Sequence, residues 1–242
     1  MAPGRPARAC VLGHGPGRRV TERFTDHLRS AAGRVWDAQL SHPFVRGIGD
    51  GTLARPRFEH WVRQDYRFLI EYCRLFALAA ARSPDLATLI RFAELLRATA
   101  VTEMSLHREV AAGLGISEAE LEREPMAPTT QAYTDFLVRT AAACDFAELA
   151  AALLPCMWGY SEVGLALARG PRPAQPWLAA WIDSYADTSF AQLAAWCREL
   201  VDRLAASASE ATRGSMEAAF MTSSRYELAF WEMAWRLERW PI

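Results

Sequence analysis

Apolar residues recur every three or four positions along most of the chain after Thr21, the spacing that lines up one face of an α-helix. No segment combines strict alternation of apolar and polar residues with the Val, Ile and Thr content of a strand. The pattern therefore predicts an all-α protein of eight or more helices. The segments expected to be helical are 21–40 (or 25–40), 57–82, 84–113, 117–124, 129–143, 145–170, 177–185, 189–206 and 210–239.

Residues with special backbone preferences mark the boundaries of these segments. The Gly- and Pro-rich stretch 42–56 is predicted to be a turn between the first two helices. Asp145, followed three positions later by Glu148, resembles a capping box, and Ser223 marks a possible break in the last helix. The connections are too short to separate independent units, so one helical domain over residues 21–242 is expected after a flexible tail over residues 1–20.

The charge composition excludes several functional classes. Basic and acidic residues nearly balance, 27 against 28, and leave a formal net charge of -1, so neither nucleic acid nor an anionic membrane is an expected partner. The chain contains no lysine and no asparagine, whereas a pyridoxal phosphate enzyme needs a lysine Schiff base and a P-loop needs a lysine on its phosphates. The segment GIGDG, residues 47–51, is accordingly interpreted as an interhelical turn.

The cysteine pattern favours a reduced, intracellular protein. Five cysteines occur without a C-x-x-C pair, which is neither a disulfide framework nor a zinc-ribbon spacing. The first twenty residues lack the apolar core of a signal peptide. No run of about eighteen uninterrupted apolar residues predicts a membrane span, and we therefore expect a cytoplasmic protein.

The segment LLPCMWGYSEVG, residues 153–164, places a proline inside an apolar helix. Pro155 removes one backbone donor and crowds the preceding turn, at a cost of roughly 3 kcal/mol. A kink at this point could aim Cys156 into a cavity shared with Tyr160, which lies on the same helix face one turn later. The alternative is that Cys156 is a small buried core residue, as most free cysteines are.

Two carboxyl groups lie among aromatic residues in the helical pattern. Asp65 has Phe68 and Tyr72 on its helix face, and Glu227 stands in the aromatic segment SSRYELAFWEMAW, residues 223–235. Burial would raise the pKa of Glu227 and make it a plausible general acid. Alternatively, each carboxyl is an exposed helix residue, with Asp65 beside the arginines two positions away on either side.

His107 follows Glu103 at the i, i+4 spacing of two metal ligands on one helix. Two ligands do not complete a metal site, and the preferred interpretation of His107 is a hydrogen-bonded core histidine. A haem- or di-iron-dependent oxidase using His27 or His107 is the competing enzyme class. Its ligand set is hard to assemble, because the chain has five histidines and no H-E-x-x-H motif.

Five segments together resemble the TenA family of thiaminase II proteins, which are aminopyrimidine aminohydrolases. They are HPFVRGIGDGTLARPRFEHWVRQDYRFL, AYTDFL, ALLPCMWGYSEVG, WIDSYADTSF and SSRYELAFWEMAWRLERW, and the similarity extends over residues 25–240. The resemblance implies an all-α, haem-oxygenase-like, single-domain helical bundle. It also implies a homotetramer with a deep pocket inside each subunit.

The resemblance further implies roles for individual residues. Cys156 of the PC motif would be the nucleophile of the cysteine-bearing group of the family, Glu227 would be the acid or base, and Asp65 of QDY would bind the aminopyrimidine. Phe68 stands where some members carry tyrosine, so a hydroxyl contact is absent and the substrate preference is open. The other matching pocket positions, expected to pack on the ring or hydrogen-bond near the cysteine, are Tyr133, Tyr160 and Tyr185.

The implied activity is hydrolysis of the carbon–nitrogen bond at the exocyclic methylene of 4-amino-5-aminomethyl-2-methylpyrimidine, with thiamin as a second candidate substrate, in thiamin salvage. Covalent addition of a cysteine thiolate to the ring would divide one difficult step into easier ones and would need no metal or organic cofactor. A family-like protein that binds a pyrimidine without turnover, or acts as a regulator, is the remaining alternative. The presence of both Cys156 and Glu227 argues against it, since binding alone needs no nucleophile.

Overall fold

The computed structural model describes residues 23–241, and this part of the chain forms twelve α-helices and one π-helical segment without any strand. The predicted all-α class is confirmed, while the predicted tail over residues 1–20 lies outside the described residues. The elements are α1 (Phe24–Ala31), α2 (Gly33–Leu40), α3 (Pro43–Asp50), α4 (Arg55–Ala81), α5 (Leu86–Arg97), the π-helical segment (Ala98–Glu103), α6 (Met104–Gly113), α7 (Glu118–Arg123), α8 (Pro128–Ala143), α9 (Phe146–Leu167), α10 (Pro176–Tyr185), α11 (Thr188–Ser207) and α12 (Glu210–Arg236).

The stretch 42–56 contains a helix, so the prediction of a turn there was wrong for most of its length. Pro43 stands in the first turn of α3, where its missing N–H has no intrahelical partner to lose. Phe44 and Ile48 are fully buried, and burial of such side chains contributes about 1.5–3 kcal/mol each. That gain offsets the cost of about 1 kcal/mol for each glycine in the helix. Gly51 then ends α3 in the left-handed conformation, with φ 75°.

The long helix predicted over residues 84–113 is divided into three elements. α5 passes directly into the π-helical segment Ala98–Glu103, which continues as α6. A π-helical turn accommodates one more residue than an α-helical turn, and such turns are frequent at functional sites. Side chains after the segment therefore point in directions that a regular helix would not give them.

Two further boundary predictions fail in detail. Asp145 is the N-cap of α9, but its side chain makes no capping hydrogen bond. α12 continues through Ser223 without a break. The buried Ser223 hydroxyl lies 2.8 Å from the Tyr133 hydroxyl, so this serine satisfies its hydrogen bonding by contact with α8 and does not disrupt its own helix.

α9 is the central helix of the bundle and packs against α8, α10, α11 and α12. By length and composition it could cross a membrane, but 78% of its most apolar window is buried inside the protein. A helix that is apolar on every side is typical of a buried core element. The hydrophobic core joins residues from α1 to α12 in one cluster, and α9 carries the Pro155–Cys156 pair through its middle.

α9 accommodates Pro155 without ending. The proline has no N–H to donate to the carbonyl of Ala151, and the carbonyl of Leu153 in the same turn receives a hydrogen bond from another helix. The Tyr72 hydroxyl, on α4, donates to the Leu153 carbonyl at 3.0 Å. The helix is thus tied to α4 at the proline, immediately before Cys156.

Candidate active site

A cavity of about 310 Å³ lies between α4, the π-helical segment, α6, α9, α10 and α11. Its volume is in the range of pockets that enclose small organic ligands. Five of the seven predicted site residues line it, on three separate helices: Asp65, Phe68, Cys156, Tyr160 and Tyr185. Glu227 and Tyr133 do not line the cavity and lie behind its wall, next to Cys156 and Phe68 respectively.

The Cys156 thiol, predicted to be the nucleophile, lies in the cavity wall. Burial raises its pKa well above the ordinary value, and the nearby carboxyl groups of Glu227 and Asp65 raise it further. Because no cation opposes these effects, the resting form of Cys156 is the protonated thiol. Nucleophilic attack by this sulfur consequently requires transfer of its proton to a neighbouring group.

The Glu227 carboxyl lies within hydrogen-bond reach of the Cys156 thiol. Its side chain is 2% exposed, and desolvation raises its pKa from 4.5 to about 7, against the opposing hydrogen bonds of Tyr133 and Cys156. The Tyr133 hydroxyl donates to Oε1 of Glu227 at 2.5 Å. A carboxyl group with a pKa near neutrality can both accept and release a proton at physiological pH.

Asp65 lines the cavity as a buried carboxyl without a counter-ion. It is 4% exposed, and its Oδ2 atom has no hydrogen-bond partner among the described residues. Burial, together with the charges of Glu103 and Glu227, raises its pKa well above the ordinary value. The alternative of an exposed helix carboxylate beside arginine is therefore wrong, and Arg63 pairs with glutamates of the α7 region instead.

His107 is the hydrogen-bonded core histidine that the sequence favours. Its Nε2 lies 2.9 Å from the Val62 carbonyl, which can only accept, so Nε2 carries the proton and Nδ1 is free of one. Nδ1 lies 3.7 Å from Oδ2 of Asp65. Burial lowers the pKa of His107 to about 4, and the ring is neutral at physiological pH. In the described part of the chain no three His, Cys, Asp or Glu side chains converge as metal ligands.

Aromatic rings form two walls suited to a flat heterocycle. In one wall the ring of Tyr160 lies 4.9 Å from that of Tyr185 and 4.9 Å from that of Trp231. In the other wall Phe68 packs on Tyr133, with 5.1 Å between ring centroids. Tyr133 therefore supports Phe68 from behind and connects that wall to Glu227.

Several polar or aromatic residues of the cavity were not predicted from the sequence, among them Tyr72, Glu103 and Trp181. Tyr72 was recognised only as a neighbour of Asp65 on the same helix face, although its hydroxyl contacts Cys156. Glu103 was predicted only as a possible metal ligand, and Trp181 stands in the family-like segment WIDSYADTSF without a predicted role. All three line the cavity. For Tyr72 the available indication was its i, i+7 spacing from Asp65, since this spacing places both residues on one helix face.

Comparison with known proteins supports the sequence resemblance. The model of the TENA/THI-4/PQQC family matches residues 29–237. The chain is 41% identical over 218 residues to an aminopyrimidine aminohydrolase of Halalkalibacterium halodurans, covering 90% of this chain and 97% of the relative.

Solved structures share the fold. A TenA homologue from P. horikoshii OT3 superposes with a TM-score of 0.82 at 27% identity, covering 89% of this chain and 99% of that one. A domain with a heme oxygenase-like fold from Shewanella denitrificans gives a TM-score of 0.71 at 15% identity, covering 88% of this chain and 92% of that one. At this low identity the similarity supports the predicted fold and says nothing about activity. The family match extends from α1 to the end of α12, and the chain therefore belongs to the TENA/THI-4/PQQC family.

Proposed function

We propose that this protein is an aminopyrimidine aminohydrolase that releases the hydroxymethylpyrimidine from 4-amino-5-aminomethyl-2-methylpyrimidine, with thiamin as a further candidate substrate. One observation carries the proposal: Cys156, Asp65 and, behind the wall, Glu227 converge on a single cavity. The chain that builds this cavity is 41% identical to a protein of that name. Thiamin salvage is the metabolic role that fits this activity.

Catalysis begins with Cys156 and Glu227. The thiol adds to an electron-poor carbon of the pyrimidine as its proton passes to Glu227, whose pKa of about 7 leaves much of it ionised at neutral pH. Electrons from the adduct then expel the group on the exocyclic methylene, ammonia or the thiazole of thiamin. Water adds to the methylene carbon, and departure of the thiol, which recovers its proton, restores the aromatic ring.

Asp65 and the aromatic walls fix the position and orientation of the substrate ring. The unpartnered Oδ2 of Asp65 accepts a hydrogen bond from the ring amine, which satisfies a buried atom that otherwise has no partner. Phe68 and Tyr160 enclose the ring faces, and Tyr185 packs on Tyr160. Such positioning converts the attack into an effectively unimolecular step. Pro155 contributes by aiming the thiol. The scheme uses no metal or organic cofactor.

The assay that tests the proposal compares wild type with two cysteine variants. We expect Cys156→Ser to lose at least about a thousandfold in the release of hydroxymethylpyrimidine from either compound, since the hydroxyl is a far weaker nucleophile. Cys144→Ser, at the half-buried end of α8, is the matched control and should stay within about twofold of wild type.

Three outcomes decide the assignment. Release by wild type and its loss in Cys156→Ser support the mechanism. Release that persists in Cys156→Ser means that Cys156 is not the nucleophile. Tight binding of both compounds without any release supports the alternative of a non-catalytic binding or regulatory protein.

The protein is further proposed to act in the cytoplasm as a homotetramer. The free thiols of Cys73, Cys144, Cys156 and Cys197 suit a reducing compartment. Exposed apolar side chains on α5 and α6, such as Ile90 and Leu106, are 47% and 43% accessible and are suited to subunit contacts. Sedimentation equilibrium tests the assembly, and a monomeric mass at micromolar concentration would contradict it.

A further inference from the structure

The cavity contains a second carboxyl group, Glu103, for which the proposed mechanism has no role. It is the last residue of the π-helical segment, and Thr99 and Thr102 of the same segment also line the cavity. Glu103 is half-buried, because its side chain faces the cavity and not the core. The π-helical segment thus contributes three polar side chains to a cavity whose lining is otherwise largely apolar and aromatic.

The charge of Glu103 has no counter-ion in the cavity. Among the described residues none of those that line the cavity is arginine, and the chain has no lysine. His107, the cavity's single histidine in the described chain, is neutral because burial lowers its pKa to about 4. The cavity also contains the carboxyl of Asp65, whose pKa is raised well above the ordinary value by burial and whose buried Oδ2 has no partner among the described residues.

A cavity with two carboxyl groups and no cation favours a ligand that brings positive charge. We infer that Glu103 is a specificity-determining residue whose carboxylate holds the cationic substituent of the substrate, the protonated aminomethyl group or the thiazolium. The inference rests on the proposed function for the identity of the ring. Beyond the proposed function, it states that the cavity prefers a positively charged substrate and that Glu103 is the residue responsible.

Protonation of the empty site fits this role. Burial raises the pKa of Glu103 to about 7, with hydrogen bonding from Thr99 acting in the opposite direction. In the absence of ligand the Glu103 carboxyl is therefore partly protonated near neutrality. An adjacent cation lowers the pKa of a carboxyl, so that ligand binding favours the ionised form that binds it.

The same interaction distinguishes substrate from product. Hydrolysis replaces the cationic aminomethyl group with a neutral hydroxymethyl group. The product loses the attraction to Glu103 and retains only ordinary hydrogen bonding. Charge-assisted hydrogen bonds are roughly twice as strong as neutral ones, and the site is thus expected to bind the substrate in preference to its product.

The test is calorimetric binding in the Cys156→Ser background, in which the substrate is not consumed. We expect Glu103→Gln to weaken binding of 4-amino-5-aminomethyl-2-methylpyrimidine by about ten- to a hundredfold. Its effect on the neutral hydroxymethyl compound should be less than about threefold. Glu109→Gln, an exposed residue of α6, removes the same charge outside the cavity and should change neither affinity.

Equal losses for the two pyrimidines, or no loss for either, would overturn the inference. Glu103→Met is the second variant, because it also removes the charge and keeps a side chain of similar size. If neither variant folds, the carboxyl is structural and the inference is wrong. A wild-type protein that binds both compounds but releases no product would refute the proposed function alone, since the comparison of affinities does not depend on turnover.

Discussion

The protonation of Glu227 depends on its individual neighbours. Desolvation raises its pKa to about 7, and the hydrogen bond from Tyr133 is the leading interaction that lowers it. Tyr133 is fully buried and its single hydroxyl proton is directed to Glu227 at 2.5 Å, so the nearby Ser223 hydroxyl at 2.8 Å acts as donor to the tyrosine oxygen. This chain of hydroxyl groups holds the carboxyl beside the thiol of Cys156.

Tyr133→Phe should therefore raise the pKa of Glu227, because the ionised carboxylate loses its strongest donor. A hydrogen bond to a charged group is worth roughly 1.5–3 kcal/mol, which corresponds to about one to two pKa units. The pH profile of kcat/KM should show the limb near pH 7 displaced upward by about that amount. Tyr226→Phe is the control, since the Tyr226 ring stacks on Tyr133 with 5.2 Å between centroids. An unchanged limb in Tyr133→Phe would mean that the limb does not report Glu227.

Contacts between helices determine where the cavity walls stand. Gly164 of α9 lies directly against the end of α10, and a Cβ atom there would lie 2.4 Å from the carbonyl carbon of Tyr185. Two backbones approach closely at this point only because one residue has no side chain. Tyr185 is thereby held against Tyr160, with 4.9 Å between ring centroids.

Gly164→Ala should push the end of α10 away from α9. We expect a loss of about 1–3 kcal/mol in the free energy of unfolding, as for other overpacked sites, together with a raised KM because Tyr185 moves from the cavity wall. Gly214→Ala is the matched control. Gly214 is an exposed residue of α12, and a Cβ atom added there meets nothing within 4 Å. It should stabilise the protein by roughly 0.5–1 kcal/mol. Urea unfolding measures both, and equal stability of the two variants would contradict the proposed contact.

Buried acids and buried histidines affect the stability of the whole molecule with opposite signs. The folded-state pKa of Glu227 and of Glu103 is raised from 4.5 to about 7, so the folded protein keeps protons that the unfolded chain has lost above pH 4.5. The free energy of unfolding contributed by these two glutamates therefore decreases as pH rises from 4.5 to about 7. Burial lowers the pKa of His60 and His107 to about 4. The stability that these neutral histidines contribute to the folded protein is therefore lost as pH falls from 6.5 toward 4.

Comparison of Glu227→Gln with wild type isolates one of these contributions. The amide does not titrate, so the variant should gain stability relative to wild type as pH rises from 4 to 8. The gain is at most roughly 3 kcal/mol, because each pKa unit corresponds to about 1.4 kcal/mol. Urea unfolding at several pH values measures it, with Glu109→Gln as the surface control. A difference that is constant with pH would show that Glu227 has an ordinary pKa in the folded protein.

Much of the architecture follows from local patterns in the chain. The three- and four-residue spacing of apolar positions predicted most of the helices, since the amphipathicity of a helix depends on residues close together in the sequence. The motifs around Asp65, Cys156 and Glu227 indicated the family before any coordinates. Local reasoning failed at α3, where glycines predict a turn but Phe44 and Ile48 bury their side chains in the core.

The sequence by itself determined the helical class and the family, because both depend on residue types at short spacings, and it singled out Cys156, Asp65 and Glu227 as candidates for the chemistry. Only the tertiary structure decided that Asp65 is buried without a counter-ion, that Glu227 lies behind the cavity wall and that Glu103 faces into the cavity. Desolvation and the resulting pKa values arise from segments far apart in the chain. The physical reason is that burial is a property of the assembled helices, whereas helical periodicity is a property of each segment alone.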